Sequence, residues 1–372
     1  MILEDLSACG VRGSAQALLK SYLEGRFQRV VVRDAQSEPY PLQCGVPQGS
    51  VLGPVLFLVY TRSLAALLDA HGVDYHFYAD DTQIYLPIRN ISEVKDKMVA
   101  LLADIKLWMT RRKLKLNDGK TEIIVVKGNL RDVNEEFDSI ELGETQLHTT
   151  ESVRNLGVYF DRELNFNKHI GLLVRNCNFH IRNIYAIKKH LDQQSILTLV
   201  HAMVVSRIDY CNSLLVGLPN CALKKLQSIL NRAARLIYSL LPRVPTTPYL
   251  IELHWLPIKA RIEFKICLIT FKVVKFGEPK YLLDLLSPQT PGVGVVLRSD
   301  SDPCRLVEPR AIGERRFADR SYTYVAPRLF NQLPVSLKRL DSVEAFKKKL
   351  KDFFFLRAYN LRDHSVNDDY RI

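Results

Sequence analysis

The run Tyr75-His76-Phe77-Tyr78-Ala79-Asp80-Asp81-Thr82-Gln83-Ile84-Tyr85-Leu86 places two adjacent carboxylates between aromatic and β-branched residues. Such flanks are typical of strands, so the pattern predicts two short strands joined by a tight turn. A side-chain period of 2 groups Asp80 with Tyr78 and Thr82, and Asp81 with Ala79 and Gln83. Paired carboxylates at a rigid hairpin tip suit Mg²⁺, which takes oxygen ligands and keeps positions open for phosphates. An ordinary polar turn would hold the same residues, because Asp favours turns. This stretch alone leaves both readings open.

Upstream lies Cys44-Gly45-Val46-Pro47-Gln48-Gly49-Ser50-Val51-Leu52-Gly53-Pro54, followed by an apolar helical pattern over Val55–Leu68. Glycines permit close approach of backbone to a ligand, and a helix N-terminus attracts anions. Taken together, Gly45–Pro54 and Phe77–Asp81 resemble motifs B and C of the reverse transcriptases of non-LTR (LINE-type) retrotransposons. Leu114–Glu122 resembles motif D of that family, and Ser152–Asp161 resembles its motif E.

The resemblance implies an α+β fold: part of a right-hand polymerase palm, with an antiparallel sheet and helices, then a helical thumb and an α-rich C-terminal extension. The implied domains are palm over 1–165, thumb over 166–245 and extension over 246–372. It implies RNA-directed DNA synthesis on an RNA template and DNA primer, with deoxynucleoside triphosphates as substrates and two Mg²⁺ ions. Asp80 and Asp81 match the metal-binding pair, Asp80 being the better candidate for direct coordination. Lys120 would neutralise or protonate the departing pyrophosphate. Pro47, Gln48, Gly49, Ser50, Tyr78 and Ala79 would border nucleotide and template.

In the family, Ile2-Leu3-x-x-Leu6, Gly10-Val11 and Ser21–Gln28 follow directly after motif A, which carries the first metal-binding Asp. Fingers and motif A are therefore expected to be missing from this chain, the two-ion site to be incomplete, and the chain to be inactive alone. Asp5 is the nearest carboxylate, but it sits in a helical pattern and is not assigned that role. A non-catalytic nucleic-acid-binding fragment and a functionless transposon remnant are the alternatives.

Charge distribution points to the same partner. Residues 1–90 carry 7 Lys+Arg against 9 Asp+Glu, whereas residues 165–275 carry 16 against 4. A strongly basic segment beside an acidic element fits a polyanion that also meets metal ions. Within that segment three helices are expected: Asn167–His190, Gln193–Leu215 and Ala222–Leu241. In the third, Leu226, Ile229, Ala233 and Ile237 would point inward, leaving Lys224, Lys225, Arg232 and Arg235 for solvent or phosphate.

Further helices are read at Ser14–Gly25, Ile91–Trp108 with Ser92 as cap, and Ile258–Phe276. Another ends at Phe355, opened by an Asp341-x-x-Glu344 capping box. Residues 242–256 read as a linker and 287–304 as a mobile loop. Seven scattered cysteines form no C-x-x-C pair, which argues against a disulfide framework or zinc knuckle. No apolar run is expected to reach the length of a membrane span, and residues 1–30 show no signal-peptide pattern. An intracellular location, nucleus or cytoplasm, is expected.

Overall fold

The computed structural model describes residues 1–46, 49–126, 137–142, 145–289, 302, 304–309 and 318–361. Pro47, Gln48 and most of the expected 287–304 loop lie outside the described residues. The chain forms two compact units: Met1–Val125 with Val133–Thr150, and Val126–Asp132 with Glu151–Ile372. It mixes helices with small antiparallel ladders, as an α+β chain should, and each ladder among the described residues has two strands.

The first unit opens with helices α1 (Ile2–Ala8) and α2 (Gly13–Leu23). Two short ladders follow α2. β1 (Phe27–Gln28) pairs with β4 (Tyr40–Pro41), and β2 (Val31–Val32) pairs with β3 (Ala35–Gln36). Helix α3 (Gly53–Ala70) carries Pro54 in its first turn, where a missing N–H is harmless. Then come β5 (Asp74–Tyr78), β6 (Asp81–Tyr85) and α4 (Ile91–Arg111). The cap of α4 is Asn90, not Ser92: the Asn90 side chain accepts from the Ser92 N–H at 3.0 Å. A 3₁₀ turn (Asp118–Lys120) leads to the hairpin of β7 (Ser139–Leu142) and β8 (Thr145–His148). A single bridge, Ile123 to Thr149, is the only pairing described between Thr121 and Val126.

Helix α3 does reach the length and apolarity of a membrane span, with a mean hydropathy of 1.3 over 18 residues, contrary to the expectation from sequence. Only its Leu56, Leu64 and Leu68 are buried. Leu64 and Leu68 meet Leu101 and Ile105 of α4 in a core that Tyr75 and Ile84 of the hairpin join. Arg112 ties the unit together. Its guanidinium makes a two-pronged pair with the Asp5 carboxylate, donates to Ser63 Oγ at 2.9 Å and lies over the Tyr60 ring at 5.0 Å. Several apolar side chains of the unit stay exposed: Phe27, Val31, Tyr40, Val51, Val55 and Leu58, Val51 to 92%.

The second unit begins with the hairpin β9 (Ser152–Asn155) and β10 (Val158–Asp161). Helices α5 (Asn167–Ile187) and α6 (Gln193–Val200) follow. The helix expected over Gln193–Leu215 is interrupted. A π turn (His201–Val205) leads into α7 (Ser206–Asp209), and a 3₁₀ turn (Asn212–Leu215) ends the stretch. Next are α8 (Asn220–Tyr238), α9 (Thr247–Glu252), α10 (Ile258–Phe276) and α11 (Lys280–Leu283). The unit closes with α12 (Tyr322–Asn331), α13 (Val335–Lys338) and α14 (Val343–Tyr359).

Where a linker was expected, α9 folds and Leu250, Trp255 and Leu256 enter the core. One apolar cluster runs from Val158 through Leu226 and Phe271 to Phe355. The Phe271 and Phe346 rings stack at 3.8 Å. The expected capping box does not form: the N-cap is Ser342, one residue later, whose Oγ accepts from the Ala345 N–H, and Ala345 has no polar side chain to reach back.

The π turn places His201 against Trp255. The indole Nε1–H of Trp255 donates to His201 Nε2 at 3.3 Å, and indole is a donor only, so that imidazole nitrogen must be unprotonated. Burial, with Arg261 next, holds the His201 pKa below the usual imidazole value. Burial also lowers His169 and, together with Arg207, His180. The folded chain therefore binds fewer protons than the unfolded one around and just below the ordinary imidazole value. Stability must rise with pH there. Lowering the pH from about 7 to about 5 should lower the melting temperature of the second unit. A melting temperature that rises over that range would contradict this reading.

Candidate active site and nucleic-acid face

The register of β5 and β6 is Tyr75 to Ile84, His76 to Gln83, Phe77 to Thr82 and Tyr78 to Asp81, leaving Ala79-Asp80 as a two-residue turn. Ala79 has φ +54°, the left-handed region that such turns demand and that a non-glycine residue enters at a cost of roughly 1–2 kcal/mol. The turn alters the face assignment read from the sequence. Asp81 lies directly opposite Tyr78 and shares its face, while Asp80 occupies the turn itself. Tyr75 and Ile84 pack inward, so by strand alternation the Tyr78–Asp81 pair lies on the opposite, solvent side. Tyr78, Ala79, Asp80 and Asp81 are all exposed. Ring contacts stiffen the stem, Tyr75 tilted against Phe77 at 5.0 Å and His76 edge-on to Tyr85 at 5.7 Å.

The loop before α3 is pinned at both ends. The Arg26 guanidinium donates to the Gly45 carbonyl, a contact that nothing in the sequence pattern indicated. At the far end Ser50 Oγ accepts from the Gly53 N–H at 3.1 Å and closes the first turn of α3. Gly45 and Gly49 have φ of +83° and +77°, and a Cβ at either would meet nothing within 4 Å. The open space beside them matches a backbone that a ligand approaches closely.

Lys120 is exposed at the end of its 3₁₀ turn, and Lys106 pairs with Asp118 at 3.6 Å in the same turn. Asp5 is fully committed to Arg112, so it is a structural carboxylate. No group of three His, Cys, Asp or Glu able to hold a metal occurs among the described residues. The hairpin thus offers two oxygen-bearing side chains of the kind Mg²⁺ takes, and a full site needs another.

In the second unit, the basic residues expected on α8 divide. Lys224 and Lys225 are exposed. Arg232 is exposed but donates to Asn178 Oδ1 at 2.6 Å. Arg235 is half-buried and donates to the Val244 carbonyl at 3.3 Å, so it is not the solvent cation that helical periodicity suggested. Leu226, Ile229, Ala233 and Ile237 are buried as expected. At the tip of the β9–β10 hairpin, Tyr210 donates its hydroxyl to the Leu156 carbonyl at 2.6 Å.

Residues 2–160 match the family described as reverse transcriptase (RNA-dependent DNA polymerase). A probable RNA-directed DNA polymerase from transposon BS of Drosophila melanogaster is 32% identical over 187 residues, 49% of this chain and 20% of that protein. The RNA-directed DNA polymerase from mobile element jockey of Drosophila funebris is 31% identical over 161 residues, 42% of this chain and 17% of its own length. A probable RNA-directed DNA polymerase from the X-element of Drosophila melanogaster is 26% identical over 225 residues, 59% of this chain and 24% of that protein. The chain spans about a fifth of the length of these relatives. The 225-residue likeness is longer than the stretch that matches the family, so it runs beyond residue 160.

Proposed function

We propose, for a chain whose residues 2–160 are reverse transcriptase sequence of the LINE type, that Asp80 and Asp81 hold Mg²⁺ for template-directed DNA synthesis. The observation that supports this best is the exposed two-residue turn with adjacent carboxylates inside the segment that matches the family. Magnesium at such a pair would offset the charge that develops on phosphate oxygens during in-line displacement. The chain's own residues supply the rest. Gly45, Gly49 and Ser50 line the approach of nucleotide and template, and Pro47 and Gln48, between them in sequence, contact the same ligands. Tyr78 and Ala79 border the metal pair, and Lys120 faces the departing pyrophosphate. The helical second unit acts as thumb and holds an RNA–DNA duplex through phosphate contacts, with residues 246–372 as its extension. Synthesis takes place inside the cell, where deoxynucleoside triphosphates are found.

The third carboxylate comes from polypeptide outside the described residues, which hold no cluster of three metal-ligating side chains and whose Asp5 is spent on Arg112. The uncovered apolar side chains around Val31, Val51 and Leu58 are where such polypeptide would pack.

Primer extension on an RNA template tests this reading. This chain alone should give no product, whereas the chain fused to an upstream polymerase segment with a suitable Asp should give one. Product from the chain alone would refute the need for a third ligand. Affinity for an RNA–DNA hybrid should fall roughly a thousandfold or more between 50 and 200 mM salt. Tight binding with no synthesis even by the fusion would favour a purely nucleic-acid-binding role.

A further inference from the structure

We propose that the outer face of α5 is the surface on which the duplex backbone rests, along a stripe of Lys168, Gly171, Arg175, Phe179, Arg182 and Ala186. This rests on the reading of the second unit as the holder of an RNA–DNA hybrid, and it moves the principal contacts away from α8. The spacing of three and four residues aligns all six on one side of the helix. All six are exposed, while Ile170, Cys177, Ile181 and Ile184 of the same helix are buried.

The three cations recur every seven residues, about 10 Å apart at 1.5 Å of rise per residue. Across its 21 residues α5 contains no Asp or Glu, so nothing on the helix itself can neutralise them. A surface helix ordinarily mixes both signs, because opposite charges one turn apart stabilise it. No ion pair to Arg175 or Arg182 occurs among the described residues. Lys168 is already positioned: its Nζ donates to Ser152 Oγ at 2.6 Å and lies 5.1 Å from the Tyr159 ring centre.

Phe179 stands between the two arginines with 53% of its surface exposed. An apolar ring left in water between guanidinium groups suits sugar and base edges, which present flat apolar surface beside phosphate. Gly171 and Ala186 project almost nothing and let a backbone come close. On α8, by contrast, Arg232 and Arg235 are engaged with Asn178 and Val244, and eight residues are buried. A hybrid duplex is the committed occupant, since its wide, shallow minor groove admits a helix edge and is read through backbone contacts.

The test uses the full chain and fluorescence anisotropy with a labelled RNA–DNA hybrid and, separately, the matching single-stranded RNA. Arg175→Gln/Arg182→Gln should weaken hybrid binding at least about tenfold and reduce the slope of log affinity against log salt by about 1.5. Phe179→Ala should weaken it several-fold with the slope unchanged, because no charge is lost. Lys224→Gln/Lys225→Gln should change it less than either. Unaltered melting temperatures confirm that these surface variants fold. If wild type binds the hybrid tightly and the Arg175/Arg182 variant binds equally well, the assignment to α5 fails while the thumb reading stands. A loss confined to single-stranded RNA overturns the duplex as occupant. Wild type that binds neither nucleic acid overturns both readings.

Discussion

Asp80→Asn is expected to lower primer extension on the order of a thousandfold in an enzyme into which this segment is built, with the melting temperature nearly unchanged. Asn keeps the size and one oxygen of the side chain but loses the negative charge that retains a divalent cation. Asp80 occupies an exposed turn and supports no packing, so the fold should not register the change. Phosphoryl transfer depends almost wholly on positioning and charge stabilisation, which is why one carboxylate carries so much. Asp81→Asn should also be severe but smaller, since Asp80 is the proposed direct ligand. Asp5→Asn gives the contrasting pattern: it breaks the pair with Arg112 and costs stability without acting at the hairpin. Equal activity of Asp80→Asn and wild type, or a loss matched by unfolding, would remove the proposed metal site.

The hairpin was legible because strand pattern, turn length and side-chain chemistry all act within twelve residues. Its face assignment was not, because a count of alternating residues ignores the turn. Two residues leave the ladder there, and Tyr78 comes to lie opposite Asp81 rather than beside Asp80. The helix with the strongest apolar repeat, α8, followed from periodicity. The break at His201 did not, since a π turn changes the hydrogen-bond register while leaving the sequence equally apolar.

Arg235 shows the same limit at the level of one side chain. Its helical position faces outward, but the chain after α8 folds back and presents the Val244 carbonyl to it. Asp5 is the converse case. Sequence pattern withheld a catalytic role from it, and its pairing with Arg112, 107 positions away, supplies the physical reason. Long-range partners of this kind cannot be read from spacing. Charge segregation could be: the excess of Lys and Arg over residues 165–275 pointed to the unit that carries the α5 stripe.

Lys338→Ala should destabilise the second unit by about 3–5 kcal/mol, among the largest effects of any single substitution in it. The Lys338 side chain is fully buried and its ammonium pairs with Asp302, itself only 9% exposed. Lys338 also donates to the Asn331 carbonyl at 3.4 Å and lies 5.4 Å from the Phe330 ring centre. Asp302 accepts from the Cys304 N–H at 3.1 Å, and Asn331 brackets Leu306 by accepting from its N–H and donating to its carbonyl. The pair therefore fastens the strand-like stretch around Leu306 to α12 and α13, with Leu306 itself in the core. Removing the ammonium leaves a desolvated carboxylate with no counter-charge, which is the costly step; the attraction between the partners largely offsets their own desolvation. Lys338→Met combined with Asp302→Leu removes both charges and should recover most of the loss. Thermal melts of the two single variants and the double variant decide the matter. A double variant no better than Lys338→Ala would mean that the contact acts through shape and hydrogen bonding rather than through compensated charge.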